Sequence, residues 1–236
     1  MVNAAKAFTS VIDDIQKGYK KSIHPDLFDV YIKNYLKTLA IFGNPKKDEP
    51  YFELVTDFKA NLTRFAAHKA YHATKQLKSI KTKDKALFKK QASGVVKKYN
   101  RYQAAEHHAS VARSRTAKQF IQFQEEKELY PNLEWLATSS ANPRELHKKY
   151  VGTILPQGDP FWIDNQPGSL WGCKCDWRTT NKAVTKSPGN LVTPATGLEG
   201  NPAVTGEIFT DNHPYFNVKK NKDIEKFIKE LDKDKK

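Results

Sequence analysis

A chain of 236 residues is long enough for one substantial hydrophobic core, or for one core with a smaller module beside it. It carries 40 Lys+Arg against 26 Asp+Glu, a net charge of +14, and that balance favours a polyanion as partner. No stretch approaches the roughly 20 consecutive apolar residues of a membrane span, and the first residues lack the apolar run of a secretory signal, so neither is expected.

Residues 1–43 read as two helices. In "FTSVIDDIQKGYKK", Phe8, Val11, Ile12 and Ile15 recur at helical spacing, and Gly18 weakens the end. In "HPDLFDVYIKNYLKTLAIFGNP", Pro25 suits a first helical turn and Asp26 complements the positive end of the helix dipole. Leu27, Tyr31, Leu36, Leu39 and Phe42 supply an apolar stripe that Gly43 and Pro45 stop. "GNPKKDEP" is a polar linker. The helical pattern resumes over residues 51–79, with Phe52, Leu54, Val55, Phe58, Leu62 and Phe65 at three- and four-residue steps. Thr82 is placed to cap a further helix, expected over 83–127 with a break near Gly94. Its core-facing positions read as Leu87, Val95, Val96, Ala104, Ala105, Val111, Ala112, Phe120 and Phe123.

Charge is concentrated in this pair of helices. Between Lys59 and Lys118 there are 16 basic and 2 acidic residues, an excess equal to the net charge of the whole chain. A merely solvated helical face carries both signs, because oppositely charged residues four apart support a helix. The near-absence of acids predicts a face turned towards the backbone of double-stranded DNA. The contacts assigned to it are Lys75, Lys78, Lys81, Lys83, Lys85, Lys89, Lys90, Lys97, Lys98, Arg101, Arg113 and Arg115. Neither zinc-finger spacing nor an aromatic RNA-binding signature is present, so the binding is expected to be independent of sequence and sensitive to salt.

From Tyr130 the pattern changes. "YPNLEWLATSS" alternates as a strand with Leu133, Trp135 and Ala137 on one face. "NPRELHKKY" is a turn into a short helix, "VGTILPQGDPFW" is extended, and "GCKCDWRT" reads as a second strand. In that strand Cys173, Cys175 and Trp177 share one face. Residues 181–216 read as a long extended arm, anchored by Ile208, Phe209, Tyr215 and Phe216. "NKDIEKFIKELDKDKK" closes as a short amphipathic helix. The fold class is therefore α+β. It comprises N-terminal helices (1–45), a basic helical hairpin (51–127), a small mixed α/β module (128–180), and an extended arm with a short C-terminal helix (181–236).

"DPFWIDNQPGSLWGCKCDW" holds three of the four tryptophans and both cysteines. The cysteines, one residue apart, would close too small a ring for an unstrained disulfide, so free thiols and a reducing compartment are expected. One reading is a zinc site from Cys173, Cys175 and His147 with Asp159 or His213, although paired zinc cysteines are ordinarily two to four residues apart. Another is Cys–His catalysis, with Cys173 or Cys175 as nucleophile and His147 as base. The preferred reading is a packed knot in which Trp162, Trp171, Trp177 and the thiols fill a small core, Asp159 caps a turn and His147 makes a buried hydrogen bond. No metal, cofactor or catalytic residue is assigned. His68 and His72 have the spacing of two helical metal ligands, but "HKAYH" lacks the glutamate of a metalloprotease, and His107 and His108 point apart. None of the four is given a chemical role.

The order "YPNLEW…RELHKKYVGTILPQGDPFW…GSLWGCKCDW" resembles the phage Mu F-like minor head protein family, the phage head morphogenesis proteins. The residues that carry the likeness are Tyr130, Pro131, Leu133 and Trp135; Arg144, His147 and Gly152; Asp159, Pro160, Phe161 and Trp162; and Trp171, Gly172, Cys173, Lys174 and Cys175. Flanking stretches extend it over roughly 50–216. Ser139, Ser140 and Ala141 stand where the family often has acidic and arginine residues, and Tyr150 and Val151 replace its Leu-Asp. The resemblance implies a non-enzymatic minor capsid protein of a tailed bacteriophage. It would associate with the portal and other capsid proteins, and self-associate within the head. It would lie in the head interior of the virion beside packaged DNA, and in the host cytoplasm during assembly. No appended toxin domain is expected. The alternative is an enzyme or toxin-like effector delivered with the DNA and using residues 130–177.

Overall fold

The computed structural model describes residues 4–138, 140, 145–218 and 221–233. Helices α1 (Ala4–Gln16) and α2 (Pro25–Leu36) are followed by a 3-10 turn (Lys37–Phe42), then by α3 (Phe52–Lys78) and the 41-residue α4 (Lys85–Glu125). Strand β1 (Asn132–Leu136), one-turn helix α5 (Glu145–Lys148), β2 (Ile154–Pro156), α6 (Phe161–Asp164) and β3 (Asp176–Thr180) come next. Short helix α7 (Pro202–Thr205), a 3-10 turn (Pro214–Phe216) and α8 (Lys222–Lys233) complete the chain. Helix and a small antiparallel sheet together make the α+β class expected from the sequence. Among the described residues no helix is long and apolar enough to cross a membrane.

Helix α4 departs from its sequence pattern in three ways. It runs unbroken through Gly94, whose cost of about 1 kcal/mol is outweighed by Phe88, Ala92, Val95 and Tyr99 buried on either side. Its first turn is capped by Asp84, whose Oδ1 accepts from the amides of Ala86 (2.7 Å) and Leu87 (3.0 Å), while Thr82 only accepts from Asp84 itself. Its inner face is also rotated from the expected one. Leu87 and Val111 are 44% and 43% exposed and Ala104 and Ala105 face solvent, because the buried stripe continues through polar Gln103, Glu106, Ser110 and Arg113. An apolar-only count cannot register a stripe that changes to polar residues halfway along.

The chain divides into two compact units. One gathers residues 1–38, 59–107 and 211–236, and the other 39–58 and 108–210. In the first unit α1 packs on α2, and Phe8, Leu27, Tyr31, Tyr35, Leu62, Phe65, Leu77 and Phe88 are buried. Within this apolar core lies an ion pair between Lys69 and Glu106, with both side chains nearly inaccessible. Tyr35 Oη donates to Glu106 at 2.5 Å and accepts from Lys69 Nζ at 3.1 Å, and the ammonium sits 4.4 Å from the centre of the Tyr31 ring. Residues 213–216 lie along α3, where the carbonyl of Tyr215 accepts from His68 (3.1 Å) and His72 (3.0 Å). Helix α8 buries Ile224 and sets Phe227 edge-on to Phe28.

The second unit is built on a three-stranded antiparallel sheet in the order β2-β1-β3, with Leu133 opposite Leu155 on one side and Trp135 opposite Trp177 on the other. Leu133, Trp135, Tyr150, Leu155, Phe161, Trp162 and Trp177 form its core, with Phe120 and Phe123 of α4 packed against it. The segment 181–210 is anchored here. Leu198, Ile208 and Phe209 are fully buried, and Asn201 caps α7. Gly206 closes α7 at φ 70°, where an added Cβ would meet Asp57 at 3.1 Å.

Candidate functional site

Two features carry chemistry. The first is the basic face of the first unit. Helix α4 buries Phe88, Ala92, Val95 and Tyr99 and turns Lys90, Lys97 and Arg101 the opposite way. Lys75, Lys78, Lys81, Lys83, Lys85 and Lys89 are exposed as well, and Lys98 is half-buried between the rings of Tyr99 and Tyr102. Arg101 lies 5.7 Å from the Tyr102 ring centre. Lys78 donates to the carbonyls of Lys20 (3.0 Å) and Lys21 (3.3 Å). Among the described residues none of these ten cations forms an ion pair. Both acids of the 59–118 stretch are committed elsewhere. Asp84 holds the start of α4, and Glu106 neutralises Lys69 inside the core. A cleft of about 500 Å³ opens beside the loop between α3 and α4, lined by Tyr19, Ile80 and Phe88 and by Lys78, Lys83 and Lys85.

Two of the three arginines assigned to this face, Arg113 and Arg115, belong to the second unit instead. Arg113 is fully buried, and its guanidinium donates to the carbonyls of Leu198 (2.6 Å), Glu199 (3.1 Å), Gly200 (3.2 Å) and Glu207 (3.2 Å). Burial lowers its pKa to about 10, and it remains charged at neutral pH. Its assignment as a DNA contact is therefore corrected. Arg113 is an internal staple for the segment 198–207, because a planar fork of donors suits a loop full of unpaired carbonyls. Arg115 is exposed but ion-paired with Asp176.

The second feature is the junction of α5 with the turn before β3. Gly172, at φ 70°, and the Cys173 amide bonded to the Leu170 carbonyl (3.1 Å) bend the chain just ahead of the strand. The strand starts only at Asp176, so the expected strand placement of Cys173 and Cys175 gives way to a turn. Both cysteines are thiols outside any disulfide and are half-buried, and both lie 3.5 Å from Nδ1 of His147. His147 is 3% exposed, wedged between Trp135 and Tyr150 at ring-centre distances of 5.2 and 5.9 Å. Its Nε2 is buried and meets no hydrogen-bond partner among the described residues. Hydrogen bonding from Cys175 first, and then from His147 against the opposing effect of burial, lowers the Cys173 thiol pKa to about 4. A cavity of about 320 Å³ adjoins the thiols, lined also by His108, Arg115, Thr116 and Gln119 of α4.

The other motif residues are structural in their contacts. Trp135 and Trp162 are core, and Trp162 Nε1 donates to the Pro156 carbonyl at 3.0 Å. Trp171, expected in that core, stacks instead on Phe209 at 6.0 Å, because the turn at Gly172 carries it away from the sheet. Asp159 caps a turn as expected, its Oδ1 accepting from Phe161 (2.8 Å), and Pro160 opens α6. Tyr130 is 38% exposed, and its carbonyl and that of Pro131 accept from Gln157. His213 accepts from the Tyr215 amide, and among the described residues the cluster of ligand-type side chains is His147, Cys173 and Cys175, without His213 or Asp159. Arg144 lies outside the described residues. Two functional-looking groups escape a reading of the sequence. One is the Lys69–Glu106 pair, signalled only by the lone glutamate in a basic stretch. The other is Gln119, which bridges Asp176 (3.1 Å) and the Trp177 indole (3.2 Å) without any sequence signal. No family model, curated protein or solved structure matches this chain.

Proposed function

We propose that this chain is a minor head protein of a tailed phage, associated with the portal vertex, whose basic unit holds the backbone of packaged double-stranded DNA without reading its sequence. The observation that carries the DNA part is the basic face between Lys75 and Arg101, where ten cations stand with one exposed acid, Asp84, which caps α4, while Glu106 is buried against Lys69. From Lys85 to Arg101 the helix advances about 24 Å, alongside which duplex DNA presents about 14 phosphate charges. Lysines spread over that reach suit a charge-matching contact, and no base-reading element accompanies them. The phage assignment rests on the resemblance of the 130–177 motif, whose tryptophans, Asp159 and Pro160 act as packing and turn residues, in keeping with a non-enzymatic part.

The test is DNA binding by the purified chain across a salt series. Replacing Lys81, Lys83, Lys85, Lys89 and Lys90 with glutamine is expected to reduce the slope of log Kobs against log salt by about 4.5, if each holds one phosphate. An unchanged slope in a folded variant refutes the DNA-facing role. Equal affinity for unrelated duplexes is expected, and strong preference for one sequence would argue against a packaging role.

A further inference from the structure

We infer that Cys173, Cys175 and His147 bind a zinc ion, with its fourth position open to the adjoining cavity. This inference is independent of the DNA-facing proposal. The three ligand atoms lie within 4.8 Å of one another, and no other such group is found among the described residues. Tetrahedral zinc with bonds of about 2.3 Å to sulfur and 2.05 Å to nitrogen sets sulfur and nitrogen about 3.6 Å apart. Both thiols lie 3.5 Å from His147 Nδ1. An N–H···S bond would give a similar single distance. However, one ring nitrogen has one proton or one lone pair and serves one sulfur well. Two sulfurs at equal distance from the same nitrogen instead mark a point between the three atoms, where a cation would sit.

Ligand chemistry selects the ion. Two thiolates and an imidazole are soft to borderline donors, suited to zinc and poor for magnesium or calcium. A dication with two thiolates and a neutral imidazole carries no net charge, so a half-buried site can hold it without a stranded ion. The one-residue spacing is shorter than the usual two to four residues between paired zinc cysteines, yet in the turn after Gly172 both sulfurs reach the same nitrogen of His147. The cavity then supplies room for a water as fourth ligand. Among the described residues His147 Nε2 has no partner in either protonation scheme, so it does not separate the two. The ion would join α5 to the turn before β3 across 26 residues of chain and so tie together a small module whose sheet has three strands.

The experiment uses the full chain, reduced, stripped with a chelator and then reloaded with Zn²⁺ or Co²⁺ and freed of excess metal. Metal content by mass spectrometry, zinc titration against a chromophoric chelator, and the absorption spectrum with Co²⁺ are measured on the same preparation. One zinc per chain and a thiolate-to-cobalt charge-transfer band are expected. Cys173→Ser and Cys175→Ser each remove a direct ligand and are expected to weaken zinc binding by more than the roughly 10–100-fold that loss of an outer-shell partner costs. If either variant fails to fold, the wild-type protein still decides the matter. Zinc is expected to protect both cysteines from iodoacetamide, read by peptide mass spectrometry. No bound zinc, no charge-transfer band, or alkylation at the same rate with and without zinc overturns the inference. Fast, zinc-indifferent alkylation of Cys173 alone would overturn it in favour of a nucleophilic thiol.

Discussion

Replacing Glu106 with glutamine isolates the least expected feature of the first unit. Lys69 is inaccessible to solvent, and its ammonium is faced by Glu106, Tyr35 Oη and the Tyr31 ring. Burial lowers the Lys69 pKa, and the glutamate opposes that shift. Glu106→Gln removes the opposing charge and leaves two routes. If the ammonium stays charged, breaking a buried pair costs about 3–5 kcal/mol. If Lys69 sheds its proton near pH 7, bringing it down from its ordinary value of 10.5 costs about 4.8 kcal/mol. Both routes give about 3–5 kcal/mol, a large share of the roughly 5–15 kcal/mol that holds a domain folded.

The second route has a signature. In the variant the unfolded chain holds the Lys69 proton and the folded chain does not, so stability rises with pH by about 1.4 kcal/mol per unit towards the ordinary lysine value. The assay is urea unfolding at pH 7 and pH 9, followed by far-ultraviolet circular dichroism. Tryptophan fluorescence would not serve, because all four tryptophans lie in the second unit. A double variant, Lys69→Leu with Glu106→Gln, is expected to recover most of the loss, since no buried charge remains and the introduced carboxamide still accepts from Tyr35. A loss below about 1 kcal/mol for Glu106→Gln, or a double variant that loses the sum of the two single changes, refutes the reasoning.

The second unit and the histidines offer further tests. Arg113→Met withdraws donors from four carbonyls and is expected to cost about 3 kcal/mol or more, read by tryptophan fluorescence in urea. DNA affinity of the remaining folded protein should be unchanged, and a loss of affinity would restore Arg113 to the basic face. Trp162→Ala empties the sheet core and is expected to cost about 3–5 kcal/mol, and a near-neutral result would mean the motif tryptophan is not packed as described. His68 and His72 have pKa values lowered from 6.5, chiefly by burial, and each donates to the Tyr215 carbonyl. The unfolded chain therefore takes up protons first, and stability should fall as pH drops below about 6.5 towards the folded values. Glutamine at both positions should flatten that acid limb of the thermal midpoint against pH. A limb of unchanged steepness would place its origin elsewhere.

The legible parts of the sequence are those with one dominant local cause. Pro25 and Gly43 bracket the second helical stretch, and α3 follows its apolar steps to within a residue of each expected end. The alternation of Leu133 and Trp135 marks β1. Legibility ends where tertiary contacts decide. The inner face of α4 carries Glu106 and Arg113, each buried because a partner far along the chain satisfies it, as Tyr35 and Leu198 do. No periodicity of apolar residues can anticipate those positions. Trp171 and the cysteines depart from expectation for a related reason. Reading "GCKCDW" as a strand fixes every second residue on one face, whereas Gly172 in the left-handed region turns the chain and the strand starts three residues later than Cys173.

The same contacts narrow the basic face. Lys69 and Arg113 are buried, and Arg64 and Arg115 pair with Asp211 and Asp176, so these four cations leave the polyanion-facing count. Among the described residues the remaining twelve of the sixteen form no ion pair, and ten of them, Lys75 to Arg101, cluster at the end of α3, in the loop that follows it and in the first half of α4, apart from Lys59 and from Lys118, which donates to the Ile41 carbonyl. A solvated surface of mixed sign would have kept acids among those lysines for helix support. Instead the one acid in the loop holds a helix end, and the one acid in the helix faces inward. Such an arrangement makes the repulsion among the lysines a standing cost that an external polyanion would relieve. The steepness of the salt dependence is therefore the quantity on which the DNA proposal stands or falls.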